Sequence, residues 1–452
     1  MAIFSSLGND TAAGSCAGAA DADCGSHVKP LATVPARPVS HVRRLMTVCG
    51  VRDLGCMAKF RKKKGQSKDS HRQNPEDANC PPRLGGDISV LNELLGNFVN
   101  LASLLETYGD HWVLAFGGGL IGLLFGFSGQ RSKFCARAAV IESCEGEWRQ
   151  RFAGWMLAFA TAMLMVQAAI ALGFLNPANS RHLGSQGSIS GAILGGLMFG
   201  VGMIMSRGCA SRLIILSANG NLRAWISGLV FAVTVQATLS GALAPVRQTM
   251  ASWWLVDGGP QRNLLTLTGT ASWMGLALGL VFLGIAIWRF RVTAGGSKPL
   301  IWGNVFVGAA LALGWYFTQW IASASFEPVP VQGLSFSSPS AEWLNRVLYT
   351  DTAPKFGFDA GLLPGVFVGS FLAAILFGDF KFEGFQTENK LGHYLSGAIL
   401  MGFGAVLAGG CTVGAGMSGG IVFSNTAWLT LLSIIAGAAM TYKFLKSIGA
   451  PT

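Results

Sequence analysis

Charge is scarce in this chain. Only 12% of its 452 residues are Asp, Glu, Lys or Arg, 51% are hydrophobic, and mean hydropathy is +0.46. Soluble domains carry about 25% charged residues, so an ordinary soluble fold is excluded. Acids are scarcest in the long apolar runs, and Glu142, Asp257, Glu327, Asp379 and Glu383 read as loop or helix-end residues. A carboxylate proton relay therefore lacks its usual parts. No G-x-x-x-x-G-K-[ST] occurs, which argues against an ATP-driven pump. H-E-x-x-H is missing, and no metal or other cofactor is expected. There is no C-x-x-C pair, the usual mark of a thiol–disulfide enzyme. Ten-residue alternating strand patterns are absent too, which argues against an outer-membrane barrel.

What is present is apolar length. Runs near 111–129, 152–175, 188–206, 222–244, 267–288, 300–323, 360–379, 394–410 and 427–446 each approach the roughly 20 helical residues that cross a hydrocarbon core. Lipid offers no partner for backbone N–H and C=O groups, so these runs are expected to be helices. The expected fold is an all-α integral membrane protein with about nine transmembrane helices, re-entrant segments and two pseudo-symmetric halves.

The formal net charge of +11 lies largely in the N-terminal tail and the loops. Basic loops orient membrane proteins, so nucleic acid is not the expected partner; lipid and a small anion are. Residues 1–88 are rich in Ala, Gly, Ser, Pro and basic residues and show no periodicity. They read as a disordered tail, an organelle-targeting segment, or an artefact of start-site choice with Met46 or Met57 as the true start. Residues 89–110 carry apolar positions at helical spacing, as an interfacial amphipathic helix would. Residues 111–452 form the polytopic transport domain, with halves near 111–290 and 300–447. The expected location is a bacterial-type inner (plasma) membrane, with an organelle membrane as the alternative.

Sixty-one glycines crowd the apolar runs, and three of their clusters end in cysteine. These are G-F-S-G-Q-R-S-K-F-C to Cys135, F-G-V-G-M-I-M-S-R-G-C to Cys209, and M-G-F-G-A-V-L-A-G-G-C to Cys411. The second and third share G-x-G-x(5)-G-C, and each follows S-G-A-I-L, at 190–194 and at 396–400. Two copies about 200 residues apart imply related halves, which in transporters often place the substrate site at their interface. Each of the three segments runs from an apolar helix into a polar break, as a re-entrant loop does. Taken singly, each thiol reads as a small buried hydrophobe. Repetition in register favours function instead. So do Gly208 and Gly410 directly before two of the thiols, Gly409 beside them, and the basic residues nearby. Arg131 and Lys133 are the candidate anion contacts beside Cys135; Arg137 and Arg212 are read equally as functional groups or as loop anchors. Cys16, Cys24, Cys49, Cys56 and Cys80 lie in the tail and Cys144 in a loop, without zinc-site spacing. What remains is a thiol-lined, weakly basic route.

These motifs resemble the YeeE/YedE family of sulfur-compound transporters over roughly residues 113–447. G-S-F-L-A-A at 369–374 adds to the likeness. The resemblance implies an hourglass-shaped all-helical transporter, not an enzyme, with short loops pointing to its centre. It also implies that Cys135, Cys209 and Cys411 relay thiosulfate by S–H···S hydrogen bonding, beside a small cytoplasmic sulfur carrier of the TusA type. The chain departs from the family pattern at Ser206 and Arg207, where small residues are usual, and at Ala136, Arg137 and Ala138 after the first thiol. The alternatives are a transporter of another sulfur or selenium species, a membrane thiol–disulfide oxidoreductase, or a structural membrane subunit.

Overall fold

The computed structural model describes residues 108–146, 149–269, 273–293, 298–325, 328–348, 356–384 and 391–449. The tail 1–88 and the interfacial segment up to residue 107 lie outside the described residues. The described part falls in one compact unit, Gly86–Thr452. Its helices are α1 Asp110–Arg131, α2 Ala136–Cys144, α3 Gln150–Ala171, α4 Ile189–Met205, α5 Ala210–Ala218 and α6 Leu222–Leu239. They continue with α7 Ala244–Ser252, α8 Trp273–Thr293, α9 Lys298–Ala324, α10 Ser337–Leu348, α11 Phe358–Leu376 and α12 Leu391–Leu407. A π-helix, Thr412–Ser418, and α13 Asn425–Ser447 follow, and one-turn helices lie at Arg181–Gly184 and Leu264–Leu267. A two-residue antiparallel pair, Gly187–Ser188 with Leu255–Val256, closes one edge.

Among the described residues nine helical segments are long and apolar enough to cross a membrane. The protein is therefore an all-α, multi-pass integral membrane protein. The expected spans match within a few residues, except the one placed at 267–288. There Leu264–Leu267 forms a short helix of its own, and the spanning helix starts at Trp273. Its short helix is capped by Asn263, whose side chain accepts from Leu265 N–H at 3.0 Å.

Three of the spans are broken near one end. They are α1–α2, α4–α5 and α12 with the π-helix, and the breaks fall at Cys135, Cys209 and Cys411. The glycines explain how the helices come together. Gly118, Gly122 and Gly126 on α1 face Phe358, Leu362 and Val366 on α11, and the order shows the two run parallel. Helices α4 and α12 cross antiparallel, with Gly195 against Gly404 and Gly202 against Gly397. A methyl group on Gly404 would meet the Gly195 carbonyl oxygen at 2.6 Å, so backbones this close admit no side chain.

The crossing is reciprocal. In the register that aligns the two G-x-G-x(5)-G-C copies, Gly195 matches Gly397 and Gly202 matches Gly404. Gly195 contacts the counterpart of Gly202, and Gly202 the counterpart of Gly195, the signature of a two-fold-related interface. Helix α4 also packs on α13, through Gly200 and Ile434, and α12 packs on α6, through Gly402 and Phe231. From Cys411 to the cap of α13 at Ser424 there is one more residue than from Cys209 to the cap of α6 at Asn221. That stretch is wound as the π-helix, in which Gly416 N–H reaches the Cys411 carbonyl at 3.3 Å. A π-turn is the usual form in which a helix takes up one extra residue.

A fourth re-entrant segment was not expected. Residues 328–336 descend from the end of α9 into the core, where Leu334 and Phe336 are fully buried, and α10 returns. The Ser418 hydroxyl holds it by donating to the Leu334 carbonyl at 2.8 Å.

Candidate functional site

The three cysteine loops share one local geometry. In each, the residue two before the cysteine has positive φ: Lys133 at 52°, Arg207 at 56° and Gly409 at 80°. Lys133 N–H donates to the Gln130 carbonyl and Phe134 N–H to that of Gly129, at 3.1 and 3.0 Å. Arg207 and Gly208 repeat this on Ile204 and Met203, both at 3.2 Å, and Gly409 and Gly410 on Val406 and Ala405, at 3.2 and 2.7 Å. This is a Schellman ending, which satisfies the last carbonyls of a helix inside apolar surroundings. The cysteine that follows is the N-cap of the next helical piece. Each thiol thus sits where a helix presents free N–H groups and the positive end of its dipole.

Cys209 and Cys411 are fully buried and Cys135 half-buried. The Gly414 N–H donates to Cys411 Sγ at 3.4 Å, and Cys209 Sγ lies 3.3 Å from Ser211 Oγ. The Cys135 and Cys209 thiols are near enough to act on each other, and the charges of Arg212 and Arg137 act on Cys135. All four described cysteines are free thiols.

Because α4 and α12 are antiparallel, the Cys209 and Cys411 loops enter from opposite ends of the bundle. Cys135 accompanies Cys209. The two ends approach each other in the middle. A cavity of about 70 Å³ is lined by Ala136, beside Cys135, and by Thr412, beside Cys411, with Met203 and Trp155 between. The Thr412 hydroxyl is buried there without a protein partner among the described residues. Phe134, directly before Cys135, belongs to a row of three buried rings: it meets Phe125 edge-on at 6.2 Å, and Phe125 meets Phe336 at 5.1 Å.

At the Cys411 end a polar cavity of about 320 Å³ reaches Ala408, Gly409 and Ala415. Its basic walls are Arg181, His182, Arg247 and Arg262, and among the described residues no carboxylate lines it. The Arg262 guanidinium donates to the Ser185 carbonyl and to Thr426 Oγ1, both at 2.5 Å, which ties the start of α4 to that of α13. Burial and the charges of Arg181 and Arg262 pull the His182 imidazole down to about 3, so it is neutral at physiological pH. The Nε–H of Arg247 is buried and unpartnered among the described residues.

The residues singled out from sequence fall into two groups. Cys135, Cys209, Cys411, Gly208, Gly409 and Gly410 lie in the three loops. Arg131 and Lys133 are exposed. Arg131 lies over the Phe377 ring at 4.3 Å, and the Lys133 carbonyl accepts from Arg151 Nη1 at 2.9 Å. The guanidiniums whose charge acts on Cys135 are those of Arg137 and Arg212. Sequence reasoning missed Arg181, His182, Arg247, Arg262 and the segment 328–336. The four basic groups are scattered through loops with no common spacing, so only folding brings them together.

Residues 131–440 match the family described as Sulphur transport. The chain is similar to the thiosulfate transporter TsuA of Spirochaeta thermophila, 25% identical over 336 residues, which is 70% of this chain and 95% of that protein. Similarity to the thiosulfate transporter TsuA of Escherichia coli is also 25%, over 342 residues, 71% of this chain and 91% of the relative. A probable transporter YedE of Escherichia coli is 26% identical over 144 residues, 30% of this chain and 36% of that protein.

Proposed function

Starting from the family to which this chain belongs, that of sulphur transport, we propose that it takes up thiosulfate or a related sulfur anion past Cys411, Cys209 and Cys135 in turn. The observation that carries this reading is the repeated loop: three thiols on helix N-termini, entering from both ends, with a small cavity between the residues that follow Cys135 and Cys411. Thiosulfate is a dianion with a polarizable terminal sulfur. A thiol is a weak donor to it, and several weak contacts in series hold an ion enough to enter and loosely enough to leave.

The positive-inside rule supports a direction. Arg131, Lys133, Arg149, Arg151, Lys381, Lys443 and Lys446 lie at the Cys135/Cys209 end, which this rule assigns to the cytoplasm. The basic cavity at the Cys411 end then faces outward and gathers anions. Gly208, Gly409 and Gly410 let the ion approach the backbone closely. Arg131 and Lys133 lie on the exposed cytoplasmic rim, where they add positive potential and offer a docking edge to a TusA-like sulfur carrier. An inner (plasma) membrane fits this arrangement best.

The test is thiosulfate uptake in cells lacking their own sulfate and thiosulfate importers, with Cys209→Ala and Cys411→Ala expressed at equal levels. Uptake by the intact protein that falls in both variants is expected. A properly inserted intact protein without uptake would sink the thiosulfate reading and favour another sulfur or selenium species. The nearness of Cys135 and Cys209 also suits a thiol–disulfide oxidoreductase. That reading requires a trapped mixed disulfide and loss of activity in reductant, whereas a relay requires neither.

A further inference from the structure

Beside the thiols of the Cys135/Cys209 end, Arg137 and Arg212 each keep one buried donor without a protein partner among the described residues, Nε of the first and Nη1 of the second. Their neighbours are engaged. Arg223 donates to the Ser206 carbonyl at 3.1 Å, and Arg207 and Arg223 lie over the Tyr394 ring at 5.8 and 5.0 Å. Arg151 donates to the Lys133 carbonyl.

The described carboxylates of this end have partners as well. Glu142 accepts from the N–H groups of Arg151 and Phe152, both at 3.0 Å, and so caps α3. Glu145 takes the Tyr442 hydroxyl at 2.5 Å and lies 3.8 Å from Lys446 Nζ. Asp379 accepts from Gln130 at 3.4 Å and Glu383 from Asn221 at 2.6 Å.

The two arginines are also placed against the helix dipole. Arg137 is the second residue of α2 and Arg212 the third of α5, each in the first turn after a capping cysteine, and neither turn contains an acid. Helix N-termini favour anions and disfavour cations. Two N-termini, two guanidiniums and two thiols thus converge, and among the described carboxylates only Asp379, already bonded to Gln130, acts on one of the guanidiniums, that of Arg212. Buried charged donors left unsatisfied are costly, and an anion bound between them completes the arrangement.

We propose that Arg137 and Arg212 form an anion station that grips the oxygen-bearing end of a sulfur dianion, while Cys135 and Cys209 face its sulfur end. The proposal rests on the transport reading for the identity of the ion and deepens it. Guanidiniums are planar forks matched to oxyanions, whereas thiols suit polarizable sulfur. An ion with both ends, such as thiosulfate, satisfies all four groups; sulfate satisfies only the guanidiniums. The other copy has no counterpart, since the first turn after Cys411 reads Thr412, Val413, Gly414. The station is therefore particular to the inner end and acts as the last stop before release.

Protection of Cys135 tests this. The full chain, in membranes, is alkylated with N-ethylmaleimide over a range of sodium thiosulfate concentrations, and the Cys135 peptide is quantified by mass spectrometry, with Cys144 as internal reference. Thiosulfate is expected to protect Cys135. In Arg137→Gln and Arg212→Gln the half-protecting concentration is expected to rise at least about tenfold, the loss of one charge-assisted hydrogen bond. Arg137→Lys and Arg212→Lys, which keep the charge but not the fork, should lie between. Sulfate should protect more weakly than thiosulfate. Melting curves without anion guard against misfolding: removing a cation from a helix N-terminus should leave the Gln variants at least as stable. Protection curves that coincide for intact and variant proteins would overturn the station, as would Gln variants that melt lower in the absence of anion. If uptake fails while protection and its loss are seen, the station stands and the transport reading falls.

Discussion

Two basic residues, Lys133 and Arg207, occupy left-handed backbone positions where the third loop has Gly409. A non-glycine residue in that conformation costs about 1–2 kcal/mol. Arg207 also repels the nearby Arg137 and Arg223. Arg207→Gly is therefore expected to raise the stability of the purified protein by about 1 kcal/mol. A thermal melt in detergent reads this, and a lowered midpoint would show that stacking on Tyr394 outweighs the strain. At this scale the thiols were plain in the sequence, because glycine and cysteine recur in register. The cations were not. Arg131, Lys133 and Arg137 are near neighbours in sequence, but only the last has its guanidinium on the thiol side, and a charge count carries no direction.

Among the elements, α11 holds Pro364 within its second turn. Proline has no N–H, so the Ala360 carbonyl four residues earlier loses its helical donor. The Trp343 indole N–H on α10 replaces it at 2.8 Å. This bond pins the returning arm of the fourth re-entrant segment to the bundle. Trp343→Phe keeps most of the ring and orphans the carbonyl, and a loss of about 1–2 kcal/mol is expected. Unchanged melting would mean that water already satisfies that carbonyl. The spans themselves were legible from apolar length, since length is what the bilayer demands. The span beginning at Trp273 was displaced because Leu264–Leu267 is apolar enough to extend the pattern yet forms a separately capped helix. Residues 328–336 were unreadable because they enter the core without glycine–cysteine punctuation, satisfied by bonds such as that from Ser418.

For the molecule as a whole, the reciprocal crossing of α4 and α12 sets the Cys411 and Cys209 loops at opposite ends. With the Cys135/Cys209 end in the cytoplasm, a membrane-impermeant thiol reagent should label half-buried Cys135 in inside-out vesicles and not in right-side-out ones. Labelling from the outer side would reverse the assigned direction. The repeat behind this arrangement was visible as two short strings. That they meet in a reciprocal contact was not, because sequence shows likeness and not the axis that relates the copies.

The extra residue between Cys411 and Ser424 carries one consequence more. Two like halves set head to tail have no preferred direction; turned over, such a molecule is the same molecule. A single insertion, wound into Thr412–Ser418 in one copy only, ends that equivalence directly after Cys411. Arginines after Cys135 and Cys209, with none after Cys411, end it again. The two faces of the membrane thereby meet different mouths of one path, so a blocker shaped for one need not fit the other.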